Sequence, residues 1–525
     1  MKKFNVTGIC VPGKHYMVNT EEKLSRIMEL IKDERYFTIN RARQFGKTTT
    51  LYLLEKAFLS SGSEYIGINI SFEGVGGAMF ESEEAFCQEF LIQISEALNG
   101  YDFAKDWIDE SVTGFAQLGR HINKLCVNKN LVLMVDEVDA TSKNSIFLRF
   151  LGMLRNLYLK RAGGKANTFH SVILAGVHDI KNIKLKLITA GLHTLRDENE
   201  GEYNSPWNIA SDFTVDMFFT PQEISTMLLE YEDAHSTGMD IAAVSEEIFF
   251  YTAGYPYLVS RICQCIDEEL PDFGWNAEGV QHAVKKISFE RSVLYDDIFK
   301  NLENHKDLYD FMYGVLVFGN KIKFTFYDPV MERCNMFGFI TMDSKGVVEV
   351  ANKIFAILML NYFISKENTL SGMSSQICNG MYKEITGGGR FDMEICLRRF
   401  AEHYSDIYAS AASSFLETHG RMIFLSFLKP LVNGVGFFHI ESQFTDMRRM
   451  DVVVDYGRES FIIELKLWKG EKAQGKAYEQ LLDYMNSKRL NKGYLLTFDF
   501  RKDKNKETKC EWVKIGDKQI FEVIV

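Results

Sequence analysis

One loop of the sequence has the residue types that phosphate binding requires. Gly46, Lys47 and Thr48 follow the short apolar run Tyr36–Asn40 and precede a segment with helical spacing. Where a strand turns through a loop into a helix, backbone N–H groups and the positive end of the helix dipole hold an anion. A lysine in this position reaches the β- and γ-phosphates, and the threonine hydroxyl ligates Mg²⁺. The loop therefore predicts a nucleotide site that takes ATP and Mg²⁺.

A second short motif completes this prediction further along the chain. The apolar run Leu131–Val135 is followed directly by Asp136 and Glu137. We expect Asp136 to hold Mg²⁺ together with Thr48, and Glu137 to act catalytically by polarising the attacking water. Each motif alone can be an ordinary turn or a solvated strand end, but their order and spacing together favour an ATPase. The residues expected to bind the nucleotide are Arg41, Arg43, Gln44, Phe45, Gly46, Lys47, Thr48, Thr49 and Asp136.

Two further segments are weaker candidates for the same site. The apolar run that begins at Ser171 ends at His178 and Asp179, where a polar residue can sense the γ-phosphate, although a plain loop fits equally well. The tripeptide Gly254-Tyr255-Pro256 starts a helix that leads to Arg261. Because proline is favoured in the first turn of any helix, this segment is either a lid over the nucleotide or an ordinary helix start.

A second group of charged residues lies near the C-terminus. Glu464 and Lys466 interrupt the apolar run Phe461–Trp468, and their spacing places both on one face of a strand. Burying both charges costs several kcal/mol unless they pair or bind something. Asp451, on the adjoining strand of a hairpin, would complete an all-oxygen Mg²⁺ site with Glu464, and the lysine could neutralise a phosphate. The alternatives are a structural hairpin with a surface ion pair, or an inactive fold that only binds nucleic acid.

The elements that position these residues predict an α/β protein. Apolar strands alternate with helical patterns over the first 180 residues, which indicates a mostly parallel sheet. Helices dominate after Thr220, and two short strands, Phe337–Met342 and Val347–Ala351, flank a turn that suits a winged-helix module. The domains expected are an ATPase core at 1–220, a helical lid at 221–300, a winged-helix-like module at 301–370, and a second α/β domain at 371–525 with its core at 410–525.

Length, cysteine content and charge limit the classes of protein that the chain can belong to. A chain of 525 residues is too long for one hydrophobic core. Its first residues do not look like a signal peptide, no apolar run approaches the ~18 residues that span a bilayer, and no CxxC pair exists, so we expect a cytoplasmic protein with no membrane contact. A net charge of −11 argues against a generally basic nucleic-acid binder, yet residues 441–525 hold 17 Lys plus Arg against 15 Asp plus Glu. The C-terminal part is the place where a polyanion would dock.

Residues 36–48, with their Arg-x-Arg lead-in, resemble the bacterial AAA-ATPase-like family, as do Val135–Asp139 and Gly254-Tyr255-Pro256. The family replaces the first glycine of the phosphate loop, here Arg41, with this lead-in. The resemblance extends over residues 1–365 and includes signal-transducing P-loop ATPases with a winged-helix lid. It implies ATP binding and hydrolysis, and it raises assembly with further copies of the chain as a possibility, although no arginine for a neighbouring site can be nominated.

The C-terminal residues Asp451, Glu464 and Lys466 resemble the Asp…Glu-x-Lys core of the PD-(D/E)XK nuclease superfamily. Glu417 matches an acidic residue of its first helix, and Gln480 with Tyr484 matches a Gln-x-x-x-Tyr motif. The resemblance implies Mg²⁺-dependent cleavage of DNA, gated by the nucleotide state of the ATPase. The competing hypothesis is a non-enzymatic switch whose C-terminal domain only holds nucleic acid or a protein partner. The residues expected to be catalytic are Glu137, Asp451, Glu464, Lys466 and Gln480.

Overall fold

The chain folds into two compact units in its computed structural model. The first unit comprises Met1–Val280 with Asn335–Gly338, and the second comprises Gln281–Cys334 with Phe339–Val525. The finer division into four domains stays a prediction. The structure describes all residues except 1, 61, 76, 104–111, 139–144, 178–206, 208, 212, 214, 318–319, 372–383, 387–389, 409–412, 433–435, 442–450, 457–458, 469, 488–489 and 500–508.

A four-stranded parallel sheet forms the centre of the first unit. Its strands are β1 (Tyr36–Asn40), β2 (Tyr65–Ser71), β3 (Asn130–Asp136) and β4 (Ser171–Gly176), in the spatial order β1-β4-β3-β2. Every residue of β4 is buried, as is all of β3 after its first residue, which is why residues 131–135 and 172–175 are all apolar. The three apolar runs that begin at Tyr36, Leu131 and Ser171 are confirmed as the strands β1, β3 and β4. Because the strands are parallel, the residues that follow β1, β3 and β4 meet at one edge of the sheet.

Helices cover this sheet and supply an aromatic core. Phe86 and Phe90 both contact Phe150, with ring centroids 4.9 Å apart in each pair. All three rings are fully buried, which accounts for part of the high phenylalanine content of the chain. The helices are α1 (Glu21–Lys32), α2 (Lys47–Phe58), α3 (Glu83–Ala97), α4 (Phe115–Leu125) and α5 (Ser145–Ala162).

Three helices follow in the first unit: α6 (Pro221–His235), α7 (Ile241–Thr252) and α8 (Pro256–Gln264). The start of α6 is the one that its sequence predicts. The Thr220 side chain accepts a hydrogen bond from the backbone of Glu223, whose own side chain accepts one from Thr220 N–H. Proline also occupies the first position of α8, where the fixed φ of the ring suits the first turn.

The middle of the chain is helical and ends in a short hairpin. Its helices are α9 (Ala277–Ile287), α10 (Val293–Asn304), α11 (Lys306–Leu316) and α12 (Pro329–Met336), and its antiparallel strands are β5 (Ile340–Met342) and β6 (Val348–Val350). The prediction that the first strand begins at Phe337 is wrong. Gly338 has a φ of 72° and donates to the carbonyl of Asn335, so a turn occupies the start of the predicted strand. The winged-helix assignment stays a prediction.

A six-stranded mixed sheet dominates the rest of the second unit. Its order is β11-β12-β10-β9-β8-β7, in which β10 runs parallel to β9 and β12 and the other neighbours are antiparallel. Leu481 and Met485 of one helix pack on Ile462 and Leu495 of the sheet. The strands are β7 (Gly436–Glu441), β8 (Asp451–Tyr456), β9 (Glu459–Leu467), β10 (Lys492–Phe498), β11 (Lys509–Ile515) and β12 (Lys518–Ile524); the helices are α13 (Lys353–Ser371), α14 (Met393–Tyr408), α15 (Ser413–Val432) and α16 (Glu471–Ser487), which contributes Leu481 and Met485.

One lysine joins two of these helices through hydrogen bonds to neutral oxygen atoms. Lys429 of α15 donates from Nζ to the carbonyl of Asn361 at 2.8 Å and to the hydroxyl of Ser365, both on α13. Burial disfavours its charged form and lowers the pKa of Lys429 to about 8.

Across the part of the chain that the structure describes, no helix combines the length and the apolar content needed to cross a membrane.

Candidate functional site

The phosphate loop ends at a glycine whose conformation other residues adopt only with strain. Gly46 precedes α2 with φ 78° and ψ 15°, and Gln44 also has a positive φ of 55°. Left-handed backbone costs a residue with a β-carbon about 1 to 2 kcal/mol, so glycine is the natural occupant at position 46. Successive turns of this kind direct neighbouring N–H groups into one concave surface, which suits an anion.

One side chain of the loop connects the first motif to the second, and a neighbouring side chain folds back onto the loop itself. The Thr48 hydroxyl donates to Asp136 Oδ2 at 2.6 Å, and the Asp136 side chain is buried at the end of β3. Lys47 is buried as well, and its Nζ lies 3.0 Å from the carbonyl oxygens of both Arg41 and Ala42. A hydroxyl and a carboxylate in direct contact are the hard oxygen ligands that Mg²⁺ takes beside nucleotide phosphates, so these residues fit the ion.

Glu137 follows Asp136 in an uncommon backbone conformation. Its φ is 52°, which is rare for a residue other than glycine, asparagine or aspartate. The Glu137 N–H donates to Asp136 Oδ1 at 2.9 Å, so the carboxylate of Asp136 uses one oxygen for this turn and the other for Thr48. Strained backbone of this kind persists where the surrounding structure fixes it, and it is concentrated at functional sites.

The arginines that lead into the loop differ in their placement. The Arg41 guanidinium donates to the carbonyl of Val215 at 3.0 Å and lies 5.4 Å above the ring of Phe213. Burial lowers the pKa of Arg41. These contacts tie the start of the loop to the chain that precedes α6. The side chain of Arg43 is exposed, whereas Phe45 is buried.

A largely apolar cavity opens beside Gly46 and the first turn of α2. Thr49 lines it and accepts a hydrogen bond from the backbone N–H of Cys10 at 3.1 Å. Gln44 also lines it, and its buried Oε1 has no hydrogen-bond partner within the described part of the chain. Other segments complete the walls, with Asn5, Val18, Leu24, Ile27, Pro256 and Tyr257. Sequence reasoning missed the N-terminal wall, because residues 5–18 carry no motif.

The weaker candidates of the sequence have mixed outcomes. Pro256 and Tyr257 show that the start of α8 does face the cavity beside the phosphate loop. Arg261 instead pairs with Glu269 at 2.6 Å. His178 and Asp179 lie outside the described residues.

Two of the predicted C-terminal residues occupy facing backbone positions on adjacent strands. In the register of β8 and β9, Asp451 lies directly opposite Glu464. Residues directly opposite in an antiparallel pair share a face of the sheet. Glu464 is 1% exposed and forms an ion pair with Lys466, two residues further along the same strand. The backbone therefore brings the three predicted residues to one region of one face.

Helix α16 brings Gln480 and Tyr484 to the same sheet. The Oε1 atom of Gln480 is buried and has no hydrogen-bond partner among the residues described. Tyr484 is buried in the core between α16 and the sheet, together with Leu481. Glu417 lies on α15.

A second buried polar network lies farther across the same face, and no sequence motif predicted it. Gln474 of α16 donates from Nε2 to Thr497 at 3.0 Å and to Glu522 at 2.6 Å. Lys509 lies 2.9 Å from the other oxygen of Glu522. Burial alone would raise the pKa of Glu522, but hydrogen bonds from Lys509, Gln474 and Tyr478 lower it. In the sheet register, Leu495 separates Glu522 from Glu464.

Comparisons with known proteins match two separate parts of the chain, and each part contains one of the two groups of motifs. A family model described as an AAA-like domain matches residues 12–356, and one described as the PD-(D/E)XK nuclease superfamily matches residues 434–509. No curated protein matches the chain. The Walker-type ATPase of Pyrococcus abyssi is similar at 10% identity and a TM-score of 0.46, over 68% of this chain and 99% of that one. The ORC2 protein of Aeropyrum pernix, in its ADPNP–ADP complexes, is similar at 11% identity and a TM-score of 0.36, over 69% and 98%.

Proposed function

Since the chain belongs to the AAA-like domain family and carries a C-terminal domain of the PD-(D/E)XK nuclease superfamily, we propose that it binds and hydrolyses ATP in its first unit and cleaves DNA with its C-terminal domain. Both memberships confirm the resemblances predicted from the sequence, and the α/β fold class with them. Coupling between the two activities, a cytoplasmic location and assembly of several copies stay predictions.

The observation that carries the ATPase proposal is the hydrogen bond between Thr48 and Asp136. It joins the two motifs in space at the edge of the sheet where β1 and β3 end. The Thr48 hydroxyl and the Asp136 carboxylate would hold Mg²⁺, which neutralises charge on the phosphates when it is bound. Lys47 would exchange its backbone carbonyl partners for the β- and γ-phosphate oxygens. Glu137 would accept the proton of the water that attacks the γ-phosphorus as ADP leaves.

The cavity beside Gly46 supplies a place for the nucleobase. Its walls include Leu24, Ile27 and Pro256, and it begins where the phosphate loop meets α2. A planar base with one polar edge fits a mostly apolar cavity that also contains a few polar groups. The Gln44 amide is such a group, because its buried oxygen lacks a partner among the described residues.

Nucleotide binding and hydrolysis by matched variants test the ATPase proposal. Lys47→Ala should abolish ATP binding, and Glu137→Gln should keep binding but lower turnover by at least about 100-fold. Lys56→Ala is the control, since Lys56 is exposed on the same helix α2 and should leave both properties unchanged. Tight ATP binding by Lys47→Ala would show that the loop is not the nucleotide site.

The nuclease proposal depends on the facing positions of Asp451 and Glu464, with Lys466 beside them. The two carboxylates would hold a divalent metal ion, which activates water and stabilises charge on the scissile phosphate when it is bound. Lys466 would place its ammonium against that phosphate, and Gln480 would orient the attacking water through its unpartnered amide oxygen. The choice of DNA as substrate comes from the superfamily and from the slightly basic C-terminal sequence.

Plasmid cleavage with Mg²⁺ tests this second activity and its coupling. Lys466→Ala should abolish cleavage, whereas Lys472→Ala, an exposed residue of α16, should not. If nucleotide state gates the nuclease, ATP should change the cleavage rate in the wild type and have no effect on Lys47→Ala. Intact ATP binding with no cleavage under any condition would favour the non-enzymatic switch.

A further inference from the structure

Three successive carbonyls of the phosphate loop accept hydrogen bonds from side chains. Lys47 donates to the carbonyls of Arg41 and Ala42, and the Tyr255 hydroxyl donates to the carbonyl of Arg43. A loop that turns its N–H groups toward an anion must turn its carbonyls away, and each buried carbonyl then needs a donor. The donor for Arg43 comes from a segment more than 200 residues away in the sequence.

The backbone around Tyr255 holds its ring in one place. Tyr255 is fully buried and directly precedes Pro256, the first residue of α8. Gly254 has a φ of 75°, and a β-carbon there would lie 1.9 Å from the carbonyl oxygen of Phe219. The Phe219 N–H donates to the carbonyl of Gly254 at 2.8 Å. Only glycine fits where residue 254 passes so close to the backbone of Phe219. The backbone next to Tyr255 is therefore fixed, and packing sets the position of the Tyr255 hydroxyl.

An aromatic contact reinforces the same connection. The ring of Phe45, next to Gly46 in the loop, packs edge-on against Phe218 and against Tyr255, with centroids 4.8 Å apart in both pairs. Phe45 is 2% exposed. The phosphate loop is therefore attached to the segments on either side of α6 and α7 by a hydrogen bond and by buried ring contacts.

We propose that Tyr255 is a positioning residue that keeps the phosphate loop in its nucleotide-binding conformation. The proposal rests on the proposed ATPase function. When Lys47 moves to the phosphates, the carbonyls of Arg41 and Ala42 lose its ammonium, whereas Arg43 keeps its bond to Tyr255. That bond can therefore help to preserve the loop through the exchange. Preorganising a loop reduces the entropy lost on binding, so its removal should weaken affinity.

The variant Tyr255→Phe tests this role because it removes one hydroxyl and keeps the ring. Loss of one neutral hydrogen bond corresponds to a roughly fivefold weaker affinity for MgATP by calorimetry. Amide hydrogen exchange in a peptide covering residues 41–48 should accelerate by a similar factor in the free protein. Tyr231→Phe is the matched control, since Tyr231 is also a buried tyrosine of the first unit, and its hydroxyl donates to Asp267 at 2.6 Å.

The two measurements separate this proposal from the ATPase proposal. If Tyr255→Phe and Tyr231→Phe lose similar thermal stability but only Tyr255→Phe weakens MgATP binding and loosens residues 41–48, the positioning role is supported. Unchanged affinity and unchanged exchange in Tyr255→Phe overturn it. If the wild type binds no MgATP, the ATPase proposal fails, and hydrogen exchange in the free protein still decides whether Tyr255 holds the loop.

Discussion

Replacing Lys466 by methionine should destabilise the second unit more than replacing its partner Glu464 by leucine. The ion pair joins a carboxylate that is 1% exposed to an ammonium that is 19% exposed. Lys466→Met leaves the buried carboxylate without its cation, and Asp451 lies directly opposite it in the sheet. Glu464→Leu leaves an ammonium on a flexible stem that can reach water. The asymmetry follows from which of the two charges can escape burial.

The expected changes in the free energy of unfolding follow from what is known of buried ion pairs. Removing one partner of a buried pair costs about 3 to 5 kcal/mol when the remaining charge is fully enclosed. We expect about 3 kcal/mol for Lys466→Met, at the lower end because the ammonium is partly exposed, and roughly 1 kcal/mol for Glu464→Leu. The double variant replaces both charges by apolar groups of similar size, so it should unfold with a free energy within about 1 kcal/mol of the wild type or above it.

Denaturant unfolding of the full chain at pH 7 with a chelator measures these free energies. Hydrogen exchange of β9 and β10 identifies the transition that belongs to the second unit. A double variant as unstable as the sum of the two single variants would refute the reasoning, because independent residues add. So would a greater cost for Glu464→Leu than for Lys466→Met. If the double variant is stable but cleaves no DNA, the ion pair is needed for cleavage and not for the stability of the fold.

Three further predictions use other features of the two units. At pH 7 Lys429 is charged in most folded and in all unfolded chains, so its burial penalty is present there. The penalty is relieved as the pH rises through the folded-state pKa of about 8 towards 10.5. Lys429→Met should therefore raise the free energy of unfolding by roughly 2 kcal/mol at pH 7, measured with urea. If this gain in stability is as large at pH 10 as at pH 7, it does not come from the burial of the lysine charge. Gly254→Ala should cost at least about 3 kcal/mol, whereas Gly164→Ala, with φ 66° and open space around its β-carbon, should cost about 1 to 2; equal losses of stability would rule out the backbone clash. Thr48→Val, which removes the hydroxyl bonded to Asp136, should lower ATP turnover by roughly 100-fold, and normal turnover would exclude Thr48 as a metal ligand.

The strands and the two phosphate-chemistry motifs were predictable because neighbouring residues encode them. The run before Asp136 is apolar at every position that the sheet buries, and Gly46 stands where the backbone turns into α2. Strand period, helix period and turn chemistry act over a few residues, so a single sequence carries them. The same local reasoning placed the first hairpin strand too early, because the turn at Gly338 depends on the end of the preceding helix.

What lies opposite a given side chain depends on segments that are distant in sequence. No pattern near Arg43 predicts that its carbonyl meets the hydroxyl of Tyr255, and nothing around Gln474 predicts Glu522 as its partner. Such contacts form only when helices pack on sheets. The side-chain volumes that fill the core and the hydrogen bonds that buried polar groups need then select one arrangement among many. The sequence alone thus predicted which residues have the side chains for phosphate chemistry, and it determined which elements carry them. The tertiary structure decided which contacts hold the phosphate loop in place, which residues line the cavity beside Gly46, and which buried charges are paired.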